Sequence, residues 1–163
     1  HLLLNLHLWP TSKKVFEFGA APGGWTQILL ELNPNIQITA LDILDLKFTH
    51  PNLMFFKEDY LKFNYAKIKN DYDLILSDIA PNTTGHQSTD HLRISNMIFD
   101  IINILDKILV KDGTFVVKIW KGSEEKNLFK ILNSKFKKVS YFKPKSSRKD
   151  SSEIFIVATK FLN

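Results

Sequence analysis

The strongest constraint on the fold is an alternation. Apolar and aromatic runs at Val15–Phe18, Ile36–Leu41, Leu53–Phe56, Leu74–Ser77, Phe115–Ile119, Val139–Phe142 and Ile154–Thr159 read as strands. Between the first five lie segments of helical spacing or helix-forming composition. The clearest is His91–Val110, where Leu92, Met97, Ile98, Ile101, Ile102, Leu105, Ile108 and Leu109 recur at helical intervals. Lys111-Asp112-Gly113 then supplies a stop, with glycine just past the last turn. Strands alternating with helices predict βαβ units and a parallel sheet covered on both faces. A chain of 163 residues, 44% hydrophobic and without internal repeats, suits one such domain with a proper core.

The end of the chain breaks the alternation. Only Lys143–Glu153, with Pro144 and a run of Ser, Lys and Arg, separates the last two strands. A parallel crossover needs about a dozen or more residues, usually including a helix, so the last strand is expected to be antiparallel. In open α/β sheets, ligands sit beyond the carboxyl ends of the parallel strands. An antiparallel last strand brings its amino end, and with it Glu153, to that same rim.

Composition narrows the class of protein. No apolar run is long enough to span a bilayer. HLLLNLHLWP is interrupted by Asn5 and His7 and lacks a basic leader and a small-residue cleavage site, so it reads as part of an element of a longer chain. The chain has no cysteine, which excludes disulfides and thiolate metal sites. That points to a reducing compartment, the cytoplasm or alternatively an organellar matrix. His1, His7, His50, His86 and His91 are scattered without a ligand pattern, so no metal is expected. The net charge of +5 suits a polyanion such as nucleic acid, and equally a lysine-rich solvated exterior.

After the first strand comes Gly19-Ala20-Ala21-Pro22-Gly23-Gly24-Trp25. No Lys-Ser or Lys-Thr follows, so this is not a P-loop, and it does not match G-x-G-x-x-G. Pro22 has no N–H to offer a phosphate, while Gly19, Gly23 and Gly24 permit close approach of a ligand to the backbone. Asp42 ends the second strand, about 20 residues on, where α/β nucleotide folds hold ribose hydroxyls. Asp59 follows the third strand and is placed to accept from an adenine amine. Acids without a full phosphate loop suggest a nucleoside lacking phosphates, such as S-adenosylmethionine. The alternative is that Asp42 and Asp59 only cap turns.

GAAPGGW at Gly19–Trp25, SDIAPNTTG at Ser77–Gly85, DHLR at Asp90–Arg93, GTFVVKIWKG at Gly113–Gly122 and KPKSSRKDSSEIFIVATKF at Lys143–Phe161 resemble the FtsJ/RrmJ-type RNA ribose 2′-O-methyltransferases. The resemblance runs from about Val15 to Phe161. It implies a Rossmann-like methyltransferase fold: a mostly parallel seven-stranded sheet, an antiparallel last strand, and helices on both faces. It implies S-adenosylmethionine contacts at Gly23, Trp25, Asp42, Asp59 and Asp78. It also places Asp78, Lys118 and Glu153 in the family's Lys-Asp-Lys-Glu tetrad. The tetrad's first lysine normally precedes the first strand on a helix. HLLLNLHLWPTS has no lysine there, and Lys13 and Lys14 adjoin the strand without matching the position.

A ribose hydroxyl is a weak nucleophile, helped by orientation and by a group that takes its proton or stabilises its charge. Lys118 stands inside FVVKIW, where apolar neighbours leave a lysine in need of a partner. It either takes the proton or stays charged and stabilises the developing alkoxide. Asp78 would orient Lys118, and Glu153 would steer Lys118 or the ribose. Asp90, His91 and Arg93 can be read simply as opening the long helix.

The expected partner is RNA, which carries the 2′-hydroxyl. Large-subunit ribosomal RNA within a ribosomal particle is the substrate favoured by the resemblance. A tRNA, an mRNA cap, a small molecule, or a catalytically silent RNA- or cofactor-binding role are the alternatives. Lys143, Lys145, Arg148 and Lys149, with Ser146 and Ser147, are expected to line the RNA entrance. A monomer is expected.

Overall fold

The computed structural model describes residues 12–69, 71–81, 84–122, 124–144 and 153–162. The elements run β1 (Lys14–Phe18), α1 (Gly24–Leu32), β2 (Gln37–Asp42), β3 (Leu53–Lys57), a 3₁₀ turn (Tyr65–Lys67), β4 (Tyr72–Ser77), α2 (Gln87–Ile108), β5 (Leu109–Trp120), α3 (Glu125–Lys135), β6 (Phe136–Phe142) and β7 (Glu153–Phe161). They form one seven-stranded sheet of order β3-β2-β1-β4-β5-β7-β6. Strands β1 to β5 pair in parallel. β7 is antiparallel to both neighbours, with Lys118 opposite Phe155 and Trp120 opposite Glu153. The short β6–β7 connection thus does what its length demands, and β7 slots between β5 and β6.

Period-two burial sends alternate residues of each strand into two cores. Phe16, Phe18, Ile75, Phe115, Val117 and Ile119 pack against α2 and α3. Val15, Leu74, Leu76, Val116, Phe155 and Val157 pack against α1. Helices therefore cover both faces, as the buried parallel strands require.

Two local expectations are corrected. The connections β2–β3 and β3–β4 carry no α-helix among the described residues, only the 3₁₀ turn. Leu46 and Phe48 of the first connection fold back onto the α1-side core instead. The long helix starts at Gln87 rather than His91, and ends at Ile108 because Leu109 already pairs with Tyr72 of β4. Lys111-Asp112-Gly113 is an irregularity inside β5, not a helix stop, and Asp112 (φ 61°) takes the left-handed position expected of the glycine.

Candidate active site

The carboxyl ends of β1 to β5 and the amino end of β7 share one rim. Backbone bonds continue the sheet into the loops: Gly19 N–H donates to Leu41 C=O (2.9 Å), Glu58 N–H to Asp42 C=O (3.0 Å) and Asp78 N–H to Phe18 C=O (3.0 Å). Gly19 has φ 72°, and a Cβ there would lie 2.7 Å from the Ile79 nitrogen. Only glycine lets the turn approach the strand carrying Asp78 so closely.

The turn is held by carboxylates. Asp42 accepts from the N–H groups of Ala21 (2.8 Å) and Leu44 (2.9 Å), and Asp59 accepts from Leu61 N–H (2.9 Å). Both acids therefore cap turns, yet both also line a cavity of ≈ 360 Å³. The two readings are compatible, because a carboxylate offers about four acceptor sites. Gly19, Ala21, Glu58, Tyr60 and Asp78 also belong to the polar wall, and residues such as Phe18, Ile43, Leu44, Ile79 and Met97 to the apolar one. A mostly apolar cleft of this size with a few converging carboxylates fits a nucleoside. Gly23, Gly24 and Trp25 stand outside this wall. Gly23 is buried beneath Phe48, Gly24 opens α1, and Trp25 packs on Phe155 with ring centres 5.9 Å apart.

Asp78 belongs to this cavity and also to an ionic cluster. Its Oδ1 is ion-paired with Lys118 Nζ, which lies 3.5 Å from Glu153 Oε1. The Lys118 side chain is only 15% exposed. Burial pulls its pKa down, but Asp78 and Glu153 outweigh burial and hold it above the ordinary lysine value. Burial pushes Asp78 above the ordinary carboxylate value, with Lys118 opposing and Glu153 adding to the rise. Lys118 is thus an ammonium at neutral pH, gripped by one carboxylate just past the end of β4 and another that opens β7.

Residues 2–161 match the profile of the FtsJ-like methyltransferases. The chain belongs to that family. It is 35% identical over 158 residues to "Ribosomal RNA large subunit methyltransferase E" of Gluconobacter oxydans, covering 91% of this chain and 56% of that protein. It is 38% identical over 167 residues to the protein of the same name from Caulobacter vibrioides, covering 96% and 71%. The chain thus spans about half to seven-tenths of these relatives' length. The crystal structure of a Plasmodium falciparum protein assigned as a ribosomal RNA methyltransferase superposes with a TM-score of 0.85 at 28% identity, covering 99% of this chain and 93% of that one.

Other residues of this FtsJ-like domain fall away from the rim or beyond the described residues. Lys14 lies at the opposite end of β1, paired with Asp71 at 2.6 Å, and Lys13 donates its backbone N–H to Asp73 (2.9 Å). Neither is placed to complete a tetrad. Lys143 is half-buried where β6 ends, beside buried Pro144; Lys145, Ser146, Ser147, Arg148 and Lys149 lie outside the described residues. Among the described residues, no group of three or more His, Asp or Glu is arranged to hold a metal ion.

Two acids gain roles that sequence reasoning missed. Asp90 is buried in the first turn of α2 and accepts from the Thr84 N–H (2.8 Å) and hydroxyl (2.8 Å). It anchors the far end of the loop that begins at Asp78. Glu17, in β1, is 1% exposed and accepts a 2.5 Å hydrogen bond from the Thr26 hydroxyl of α1. Burial pushes its pKa up to about 8; Thr26 opposes the rise, and Asp78 and Asp42 add to it. An acid inside the apolar run VFEF was the available signal, the same one that singled out Lys118.

Proposed function

We propose that this domain transfers a methyl group from S-adenosylmethionine to a ribose 2′-hydroxyl of RNA. The observation that carries the reading is that Asp78 is shared: it lines the nucleoside-sized cavity and also grips Lys118. A methyl donor held in that cavity and a hydroxyl held by Lys118 would meet at Asp78.

S-adenosylmethionine supplies an electrophilic methyl group. The residues that would hold it are Gly19, Asp42, Asp59 and Asp78, with Ile43, Leu44 and Ile79 as apolar walls. Asp42 and Asp59 still have acceptor sites for ribose hydroxyls and the adenine amine. Lys118 acts as an ammonium. It orients the 2′-oxygen by donating to it and stabilises the negative charge that develops there as the hydroxyl proton is lost to solvent. Asp78 and Glu153 hold the ammonium in place, and their charge keeps it protonated. Of the two roles open to Lys118 in the sequence, the electrostatic one is favoured by the direction of its pKa.

Large-subunit ribosomal RNA is the proposed substrate, supported by the names of the relatives. A ribosomal particle would supply recognition that the domain itself leaves to its basic segment. Mapping 2′-O-methyl positions in total RNA, with and without the full-length protein, tests this. A single position lost from large-subunit RNA is expected. Loss from tRNA or from mRNA caps alone would redirect the substrate, and no loss anywhere would favour a silent module.

A further inference from the structure

The mechanism leaves two buried acids unused: Asp90, which anchors Thr84, and Glu17. Glu17 precedes Phe18 and Gly19, which both line the cavity. It ties β1 to the first turns of α1 through Thr26, so it braces the glycine turn from behind. The charged groups that bear on it are Asp42 from the end of β2 and Asp78 from the end of β4, and both line the cavity. Helix α1 contributes only the neutral Thr26 hydroxyl, and the Lys118 ammonium is engaged by Asp78 and Glu153. Glu17 does not itself line the cavity: in the sheet it stands beside Ala40 of β2 and Leu76 of β4, two residues short of Asp42 and Asp78. The three acids thus lie on neighbouring strands, with Glu17 behind the cavity wall.

We propose that Glu17 is a specificity-determining residue that reads the charge of the cofactor: it holds a proton while the cavity is empty and yields it when a cationic sulfonium binds. The inference rests on the S-adenosylmethionine reading above. A sulfonium favours the ionised carboxylate, just as any nearby opposite charge does. The product, with a neutral sulfur, exerts no such pull, so Glu17 takes a proton back when the product replaces the donor. Linkage then makes the donor bind more tightly as Glu17 ionises, and favours it over the product. A permanently charged acid in this position would lack that response. A fully buried carboxyl between two others is kept neutral until a cation arrives.

Calorimetry of the full-length protein, in buffers of different ionisation enthalpy at pH 7.5, tests the proposal. S-adenosylmethionine should release a substantial fraction of a proton, and S-adenosylhomocysteine clearly less. Glu17→Gln keeps an acceptor for Thr26 and should abolish the difference. Affinity for the donor should rise about tenfold from pH 6 to 9 in the wild type, corresponding to a one-unit displacement, and stay flat in the variant. Carboxyl-carbon NMR of the wild type, which needs no variant, should show a buried glutamate whose titration moves to lower pH with the donor alone. Equal proton release by both ligands, or release undiminished in Glu17→Gln, would overturn the proposal while leaving the cofactor reading intact. Failure of the wild type to bind S-adenosylmethionine at all would overturn both.

Discussion

Each end of the sheet carries a lysine–aspartate pair. At the amino ends of the strands, Lys14 meets Asp71 at 2.6 Å, with side chains 28% and 40% exposed. At the carboxyl ends, Lys118 meets Asp78 and also Glu153, and its side chain is 15% exposed. The amino end even has the larger cavity, ≈ 530 Å³ against ≈ 360 Å³. Neither a pair nor a cavity marks the site on its own. What sets the carboxyl end apart is convergence: Gly19, Asp42, Asp59, Asp78, Lys118 and Glu153 come from six strand ends, and Asp78 joins the cavity to the cluster. At the amino end, Lys14 is occupied by Asp71 and lies over the Tyr72 ring (5.1 Å to its centre), which is a packing role.

The two ends of the sheet should differ most at their lysines. Lys118→Ala should lower methyl transfer by at least about a hundredfold, the scale of losing one group that stabilises developing charge. Cofactor affinity should hardly change. Lys14→Ala, assayed alongside, should transfer at the wild-type rate. Comparable losses in the two variants would mean that Lys118 matters only for folding.

A smaller effect is expected at the acids proposed to hold the cofactor. Asp42→Ala should weaken S-adenosylmethionine binding by about 1–3 kcal/mol, the cost of a lost charge-assisted hydrogen bond. Asp73, which also accepts backbone N–H bonds but at the amino end, is the matched control: Asp73→Ala should leave the calorimetric affinity unchanged. Equal affinities for wild type and Asp42→Ala would remove Asp42 from the site.

The buried acid adds a pH signature of its own. The folded pKa of Glu17 is raised from 4.5 to about 8. Its contribution to stability is therefore fully present below about pH 4.5, declines as the pH rises, and is lost once the pH passes about 8. Glu17→Gln should accordingly gain in melting temperature relative to the wild type between those limits. A constant difference across that window would contradict the assignment.

The smallest effect belongs to the amino-end pair itself. Lys14→Ala should cost only about 0–1 kcal/mol in denaturant unfolding, as for other partly exposed pairs, and less at high salt. A larger loss would give that end a structural weight that its exposure does not suggest.

Much of this was legible in the sequence, for reasons that differ by residue. The strands were, because burial on alternate faces leaves a period-two record. The antiparallel β7 followed from the length of one connection, but not its insertion between β5 and β6, which depends on where α3 and β6 pack. Lys118 stood out as a charge among buried neighbours. Glu17 carried the same mark in VFEF, yet its meaning depended on Thr26, Asp42 and Asp78, which only folding brings together. Asp90 was readable as a helix opener but not as the anchor of Thr84. Ile43 and Leu44 are 61% and 62% exposed and sit in an irregular loop, so no periodicity marked them as cavity walls.

We propose that the Lys118–Asp78–Glu153 cluster drives methylation of a ribose hydroxyl beside the acid-lined cavity. The most direct test is transfer of a labelled methyl group from S-adenosylmethionine to large-subunit RNA or particles by the full-length protein, wild type and Lys118→Ala. The label should be located by the resistance of 2′-O-methylated links to alkaline cleavage. Label is expected at one alkali-resistant link with the wild type, and none with a folded, cofactor-binding Lys118→Ala. Label on a base, or undiminished transfer by the variant, would contradict it.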